Sequence, residues 1–388
     1  MDEILTKLHG AFHNASLLEQ LLPAAETLPP DILTLRTALL QLATAKSSDA
    51  ASAWAQLERM AEDGQADAQA LMASVLYRHR LTKGLVSDAE AAHGVYRYAL
   101  MAAEGGRSIL GLTLVGYAYL DGLSIPADAT RAVEILQDTA HKGNAAAKCS
   151  LSYCFDSGLG VKADKTKATE LLEESAAQGY ATALFKLGCW HQYGRGGKVV
   201  NPDRAFELFN EAAKQGYPAA MNQLGLSFAN GRGVAVDPAA AFSWYQRASD
   251  AGDADGTYHL ALCYRDACGL PPGASTVLAE RQVKTVELYQ KSADLGQPQA
   301  LFNLGCCFMN GTGVSRDAHK AVECYQKAIA LGDMDAHVNL AKCLMTGEGV
   351  EANSAEAQRL LMVAADHGHP TGLSFAHSHK AVHPAPMM

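Results

Sequence analysis

Glycine residues at a nearly constant spacing are the feature of this 388-residue sequence that most restricts its fold. They close helix-like segments, and successive differences between their residue numbers are 37, 36, 37, 36, 44, 36 and 36. A fixed period of this length indicates a repeat array in which each unit packs only against its neighbours. The glycines are Gly106, Gly143, Gly179, Gly216, Gly252, Gly296, Gly332 and Gly368.

Each unit predicts two helices joined by a glycine turn. The first helix carries a small residue, a Leu-Gly pair and often an aromatic residue, as in Ala220, Leu224, Gly225 and Phe228, and this spacing places them on one helix face. The glycine beside the leucine lets a neighbouring helix approach closely. The turn reads Gly-x-Gly-Val, and its glycines supply the positive φ that bulky residues adopt at a cost.

An Asp or Asn after each turn predicts the start of the second helix, because these side chains cap free backbone N–H groups. Lys or Arg followed by Ala then recurs near the start of that helix, as in Lys167-Ala168 and Lys320-Ala321. The predicted N-caps are Asp128, Asp164, Asn201, Asp237, Asp317 and Asn353.

Some units depart from this pattern. Ser124 replaces a second turn glycine, and Ala267 replaces a first one. The fourth copy has one extra residue near Gly197, and the sixth has eight extra residues (44 against 36) around Leu270–Ser275. We expect that insertion to protrude from the turn face, which in solenoids is often a binding edge.

The positions that recur together over about residues 66–368 resemble the Sel-1-like repeat family, a relative of the tetratricopeptide repeats. The resemblance implies an all-α fold, a right-handed superhelix of antiparallel helix pairs that acts as a scaffold for protein complexes. We predict an N-terminal helical cap over residues 1–65 and an array of seven to eight units over 66–368. Residues 369–388 would form a partial capping helix and a disordered tail.

Composition narrows the partners and the compartment. Acidic residues outnumber basic ones 41 to 32, a formal charge of -9, which argues against nucleic acid as a partner. No run of eighteen apolar residues predicts a membrane-spanning helix, and the N-terminal segment lacks the pattern of a secretory signal. Cysteines share one repeat position, at Cys154, Cys263, Cys307 and Cys343, which favours packing residues and a reduced, cytoplasmic setting.

The sequence contains only weak indications of a catalytic, phosphate-binding or metal-binding site. The glycine pairs lack the strand and the Gly-Lys-Ser ending of a phosphate loop, and neither a nucleophile elbow nor a His-Glu-x-x-His motif occurs. Five histidines near the end could bind a transition metal, or they could be solvated polar residues: His367, His369, His377, His379 and His383. We therefore predict no enzyme activity and no catalytic, cofactor or metal site.

One stripe of polar and aromatic residues on the first helices is the candidate site. Stacked amides can bond both N–H and C=O of an extended peptide, although they could instead bond one another and the turns between repeats. In related helical solenoids the first helices line the concave groove. The predicted groove residues are Lys186, Trp190, Tyr193, Gln223, Asn230, His259, Asn303, Asn310 and Asn339.

The sequence therefore favours a non-catalytic adaptor that binds other proteins or extended peptides, without nucleic acid and without inserting into a membrane. The alternatives are a regulatory subunit or activator of an enzyme complex, in endoplasmic-reticulum-associated degradation or with a membrane-bound synthase, and a secreted repeat protein that interacts with a host.

Overall fold

The computed structural model describes residues 47–82, 88–106, 108–271 and 277–374, and all regular structure within these ranges is helical. The helices belong to two units, one ending at Ala235 and the other beginning at Val236. In the first unit the helices are α1 (Ser47–Glu62), α2 (Ala66–Thr82), α3 (Asp88–Gly106), α4 (Ile109–Asp121), α5 (Ala129–His141), α6 (Ala145–Ser157), α7 (Lys165–Ala177), α8 (Ala181–Tyr193), α9 (Pro202–Lys214) and α10 (Pro218–Asn230).

The second unit contains a further series of helix pairs. They are α11 (Pro238–Asp250), α12 (Ala254–Asp266), α13 (Leu278–Asp294), α14 (Pro298–Asn310), α15 (Ala318–Ala330), α16 (Met334–Thr346) and α17 (Ser354–Asp366). Residues 370–374 are also helical. Within each unit a first helix packs against the second helix of its repeat, and that helix packs against the next first helix, as α6, α7 and α8 do. The expected all-α array of helix pairs is confirmed.

The predicted divisions at residues 65 and 368 stay predictions. Much of the proposed N-terminal cap (residues 1–46) and of the proposed tail (residues 375–388) lies outside the described residues. The segment Ala66–Gly106, in which the repeat pattern is weakest, does form the helices α2 and α3.

The predicted N-caps form as expected. The Asp164 carboxylate accepts a hydrogen bond from the Lys167 amide, and the Asn353 amide oxygen accepts one from the Glu356 amide. Pro202 and Pro238 occupy the first helical position, where a missing N–H costs nothing. The same cap geometry holds at Asp128, Asn201, Asp237 and Asp317.

Gly106 is an exception to the predicted series of helix-ending glycines. It lies within α3, whereas Gly143 and its later equivalents follow their helices with positive φ. The connection is shorter here: only two residues separate the end of α3 at Gly106 from the start of α4 at Ile109, and Ser108 caps α4 by accepting a hydrogen bond from the Gly111 amide.

The second turn glycine packs against the backbone of the preceding repeat. A Cβ built on Gly160 (φ +69°) would lie 2.1 Å from the carbonyl oxygen of Ala129, the first residue of α5. No side chain fits at that distance, so the glycine is required by space as well as by φ. The same approach to a preceding second helix occurs at Gly233, Gly269, Gly313 and Gly349.

The glycine of the Leu-Gly pair makes room for a ring within its own repeat. A Cβ on Gly188 would lie 2.6 Å from the Phe209 ring, and one on Gly305 would lie 2.6 Å from the Tyr325 ring. Phe209 and Tyr325 are fully buried. The expected close approach of a neighbouring helix is confirmed, and that helix is the second one of the same repeat.

The basic residue at the start of the second helix covers an aromatic ring of the first. The Lys167 ammonium lies 4.3 Å from the centre of the Phe155 ring, and the Arg131 guanidinium lies 4.9 Å from that of Tyr119. These distances are within the range of a cation–π interaction. The recurrent Lys-Ala or Arg-Ala pair therefore joins the two helices of a repeat.

The eight-residue insertion partly becomes helix. The second helix α13 has 17 residues against 13 in α11, and the difference of 17 − 13 = 4 residues forms an extra N-terminal turn, Leu278–Arg281. Arg281 thus occupies the position that Asp237 and Asp317 occupy as N-caps, and its amide bonds to the Val277 carbonyl. The expected protrusion of the stretch around Leu270–Ser275 stays a prediction. Residues 272–276 lie outside the described residues.

Candidate functional site

Two amides of the predicted groove bond back to the preceding first helix. Asn303 Nδ2 donates to the Tyr258 hydroxyl at 3.2 Å, and Asn339 Nδ2 donates to Cys306 Sγ at 3.5 Å. Ser150 makes the equivalent bond to Tyr117 at 3.1 Å. These three side chains therefore join consecutive repeats, and their partners are side chains of the preceding first helix rather than other amides or the turns.

Other members of the stripe are held by rings. His259 stacks on Tyr245 with ring centres 5.1 Å apart, and burial lowers the pKa of its imidazole. The Lys186 ammonium lies 5.7 Å from the Tyr153 ring, and Trp190 packs against the buried cluster that contains Leu151 and Phe155. These side chains already contact other residues of their own unit.

Three predicted groove residues are exposed. Tyr193 is 54% exposed, with its hydroxyl accepting a hydrogen bond from Gln192 and the Arg195 guanidinium near its ring. Asn230 is exposed and bonds to the Leu226 carbonyl of its own helix. Asn310 is exposed at the end of α14. These are the members of the stripe that a partner can reach.

Gln223 is a further candidate for contact with a partner because one of its polar atoms is buried without a hydrogen bond. Its Oε1 atom is shielded from solvent and accepts no hydrogen bond. A buried polar atom without a partner is costly, so this oxygen is available to an added donor. Whether the nine residues form a groove for a partner stays a prediction.

The cysteine and histidine positions are mainly structural. Cys154, Cys263, Cys307 and Cys343 are buried, and all nine cysteines are free thiols in the structure. Among the described residues no group of His, Cys, Asp and Glu side chains is placed to hold a metal ion. His367 bonds to the Val363 carbonyl and His369 to Asp335, while His377, His379 and His383 lie outside the described residues.

A solvent-accessible cleft in the first unit, here named the Tyr193 cleft, has a volume of about 280 Å³. Val199 and Val200, which follow the extra residue of this turn, are 83% and 56% exposed. Sequence reasoning found Tyr193 but missed Val200 and Arg232. The cleft is lined by Gln192, Tyr193, Val200, Pro202, Ala205, Ser227 and Arg232.

A smaller cavity in the second unit, here named the Arg281 pocket, has a volume of about 110 Å³. Five of its residues stand at the same repeat positions as residues of the Tyr193 cleft. Both cavities therefore lie between a turn and the next first helix, at the two turns that carry insertions. The pocket is lined by Tyr264, Arg265, Leu278, Arg281, Gln282, Thr285, Tyr289, Cys307 and Thr312. Of these, Arg265, Gln282, Thr285, Cys307 and Thr312 correspond to Gln192, Pro202, Ala205, Ser227 and Arg232.

Comparison with known proteins gives the relatives of the fold. A Sel1 repeat protein from Oxalobacter formigenes is 24% identical with a TM-score of 0.57, and the match covers 84% of this chain and 90% of that one. A protective antigen of uropathogenic Escherichia coli with a Sel1-like fold is 24% identical with a TM-score of 0.42, over 92% of this chain and 81% of that one. No curated protein sequence matches significantly.

Within the described residues, none of the helices has the length and apolar character needed to cross a bilayer. The Sel1 repeat profile matches residues 109–144, 145–180, 181–217, 218–253, 282–297, 298–333 and 335–369. These seven matches cover more than half of the sequence, and they leave out the helices α1, α2, α3 and α12. Repeat solenoids of this kind typically serve protein–protein interaction, and this chain belongs to the Sel1 repeat family.

Proposed function

We propose that this protein is a non-catalytic scaffold that holds partner proteins or extended peptides. Its contacts in the first unit are the exposed stripe residues Tyr193 and Asn230 together with the Tyr193 cleft. In the second unit Asn310 belongs to the same stripe. The half-buried members that already bond or pack against the preceding repeat, such as Asn303 and Trp190, keep consecutive repeats in place and shape the surface around the exposed ones.

The observation that supports this proposal most strongly is the composition of the Tyr193 cleft. An exposed tyrosine, the exposed aliphatic Val200 and the exposed Arg232 surround one concavity. Tyr and Arg are enriched among the residues that dominate binding energy at protein interfaces, and an apolar centre with a polar rim is the usual interface anatomy. Exposed large apolar side chains in such a setting mark interaction sites.

We further propose that the protein works in a reducing compartment such as the cytoplasm. Six of the nine thiols are buried, Cys189 and Cys306 are half-buried, Cys268 is exposed, and all nine are unpaired in the structure. Burial raises the pKa of Cys263 to about 12 and that of Cys307 to about 11, so these thiols stay protonated and unreactive. Titration of protein from its native source in denaturant tests this: nine reactive thiols support it, and fewer because of disulfides contradict it.

Site-specific photo-crosslinking in cells tests the binding surface. A photoreactive residue replaces Tyr193 or Val200 in one set, and Glu211, exposed on the second helix α9 of the same repeat, in the control. We expect one protein to crosslink from the first two positions and not from Glu211. Crosslinks that are equal at all three positions, or confined to Glu211, would contradict the proposed surface.

Substitution then separates binding from folding. Tyr193→Ser and Arg232→Gln are expected to weaken capture of the crosslinked protein at least about tenfold, as loss of an interface anchor does. Glu211→Gln is the matched control and should leave capture unchanged. Circular dichroism melting should be the same in all three variants, because the replaced side chains are exposed.

A further inference from the structure

Three polar atoms beside the insertion lack a well-formed hydrogen bond. Arg281 Nε, Arg281 Nη1 and the Tyr289 hydroxyl are shielded from solvent, and the Arg265 guanidinium beside the hydroxyl can only donate, so the Tyr289 O–H donor has no acceptor. Tyr289 is only 2% exposed, and both side chains line the Arg281 pocket. Donors that are buried without acceptors cost free energy, and the cost is larger for a charged group. A hydrogen-bond acceptor that enters the cavity they line would therefore be stabilised.

The register of the repeat explains why this site is particular to one turn. At the equivalent position the other turns place an Asp or Asn that caps the second helix, as Asp237 and Asp317 do. Here the extra turn Leu278–Arg281 satisfies the backbone: the Arg281 amide bonds to Val277, and the Thr285 hydroxyl donates to the Arg281 carbonyl. The Arg281 side chain is thereby placed in the cavity.

The described walls of the Arg281 pocket carry one positive charge that no negative charge balances. The Arg265 guanidinium is already paired with Asp266 at 2.8 and 2.9 Å. Burial raises the pKa of the Cys307 thiol to about 11 and also raises the pKa of Tyr289, so both are neutral. No acidic side chain belongs to the walls that the structure describes. Arg281 is left as a single cation without a counter-charge in the cavity.

We infer that the Arg281 pocket binds a carboxylate group, with Arg281 and the Tyr289 hydroxyl as its hydrogen-bond donors. One carboxylate matches the one unpaired cation, whereas a phosphate dianion would bury an excess negative charge. Arg donors and carboxylate oxygens form the stronger, charge-assisted type of hydrogen bond. A volume of about 110 Å³ holds a carboxylate with one or two carbon atoms.

The carboxylate belongs to a protein partner, and this step rests on the proposed scaffold function. Leu278 lines the mouth of the pocket and is 57% exposed, so an apolar residue next to the carboxylate can cover it. A free ligand of only a few atoms has too few contacts for tight binding. The group is an Asp or Glu side chain or a chain's C-terminal carboxylate, which have the same chemistry.

Thermal unfolding in acetate tests the pocket without any partner. Wild-type protein in a carboxylate-free buffer receives about 100 mM sodium acetate or sodium chloride at equal ionic strength. We expect acetate to raise Tm by about 2 °C relative to chloride, because a ligand that binds the folded state stabilises it. Equal Tm values in the two salts would overturn the inference and mean that water occupies the cavity.

Two variants and a matched control test whether the rise in Tm with acetate arises from the Arg281 pocket. Arg281→Met keeps the aliphatic stem and should abolish the acetate shift, and Tyr289→Phe should reduce it. In chloride Arg281→Met should not lower Tm, because its Nε and Nη1 atoms have no hydrogen-bond partner. Lys284→Gln, on the same helix but exposed and paired with Glu287, should keep the full shift. A shift unchanged in Arg281→Met would overturn the site, and Tyr289→Phe carries the comparison if Arg281→Met does not fold.

Further probes identify the ligand. Inorganic phosphate that raises Tm more than acetate, and does so through Arg281, would overturn the carboxylate assignment. A blocked peptide Ala-Leu-Asp-Leu-Ala should bind in calorimetry where its Asn counterpart does not if the source is a side chain. An acetylated Ala-Leu-Ala-Leu with a free C-terminus, compared with its amide, tests the other source.

Binding of acetate without binding of either peptide would overturn the assignment to a protein partner. The proposed scaffold function is judged separately, by crosslinking at Tyr193, because that residue lies outside the Arg281 pocket. Crosslinking that succeeds while acetate has no effect would overturn the pocket alone, and the reverse result would overturn the scaffold surface alone.

Discussion

Asn303 donates a hydrogen bond to the hydroxyl of Tyr258, which lies 45 residues earlier on the preceding first helix. The two side chains join helices α12 and α14 of consecutive repeats. Such a bond between half-buried groups contributes about 1 kcal/mol to stability. The amide is thus part of the architecture, whatever else it contacts.

A double-mutant cycle measures this relationship. Asn303→Ala and Tyr258→Phe should each lower the free energy of unfolding, with a coupling energy of about 0.5 to 1.5 kcal/mol. Urea unfolding followed by circular dichroism provides the values. Purely additive effects would show that the bond contributes nothing, and Asn310→Ala, an exposed position on the same helix, is the control.

The two kinds of turn glycine should differ in their tolerance of a side chain. Gly160→Ala forces a Cβ to within 2.1 Å of the Ala129 carbonyl oxygen and should cost more than about 3 kcal/mol. Gly179→Ala has a similar positive φ with no atom within 4 Å and should cost about 1 kcal/mol. Urea midpoints of the two variants, compared with wild type, check this. Equal losses would mean that only φ matters.

Ala267 adopts φ +54° at the end of α12, where most other repeats have glycine. A left-handed conformation of this kind costs an L-residue about 1 kcal/mol or more. Ala267→Gly should therefore stabilise the protein by about 0.5 to 1 kcal/mol, measured as a rise in Tm. Ala251→Gly, where φ is −80°, is the control and should destabilise it. A fall in Tm for Ala267→Gly would contradict the strain.

The half-buried N-cap Asp253 makes stability depend on pH. Burial raises the pKa of its carboxyl from 3.8 to about 6, with Asp255 adding to the rise and the Gly256 amide opposing it. The folded state then binds a proton that the unfolded state releases between pH 4 and pH 6. The contribution of Asp253 to stability therefore falls as pH rises through that window and is constant above it.

Asp253→Asn keeps a cap acceptor without the buried charge. It should raise the free energy of unfolding at pH 7 by about 1 to 2 kcal/mol and flatten the decline between pH 4 and pH 6. Urea unfolding at pH 4, 5, 6 and 7 tests it, with Asp237→Asn, an exposed cap, as the control. An unchanged pH profile in Asp253→Asn would contradict the raised pKa.

Much of the fold could be predicted because every repeat carries the same kinds of N-cap and turn residues. The N-caps at Asp164 and Asn353 lie where the sequence places them, since capping depends on residues only three positions apart. Even Ser124 and Ala267, which break the glycine pattern, adopt the positive φ of the glycines that they replace. Here the tertiary contacts of the repeat override local preference.

The contacts between repeats were harder to predict, because they join residues far apart in sequence. The pairing of Asn303 with Tyr258 and the cover of Phe155 by Lys167 depend on helix orientations that the period alone does not give. The Arg281 pocket was missed because the insertion was placed around Leu270–Ser275 and the extra helical turn Leu278–Arg281 was not predicted. The sequence did contain a signal for it: Arg281 stands at the repeat position where other repeats have a capping Asp or Asn.

The eight-residue insertion leaves one contact of the array intact. The carbonyl oxygen of Gln282 still meets Gly313 of the next turn, as those of Pro238 and Ala318 meet Gly269 and Gly349. Although α13 also packs against α14, the following turn meets the same backbone oxygen here as in the other repeats. The segment between the first turn position and the second helix can therefore change in length while the backbone contact with the following turn is kept.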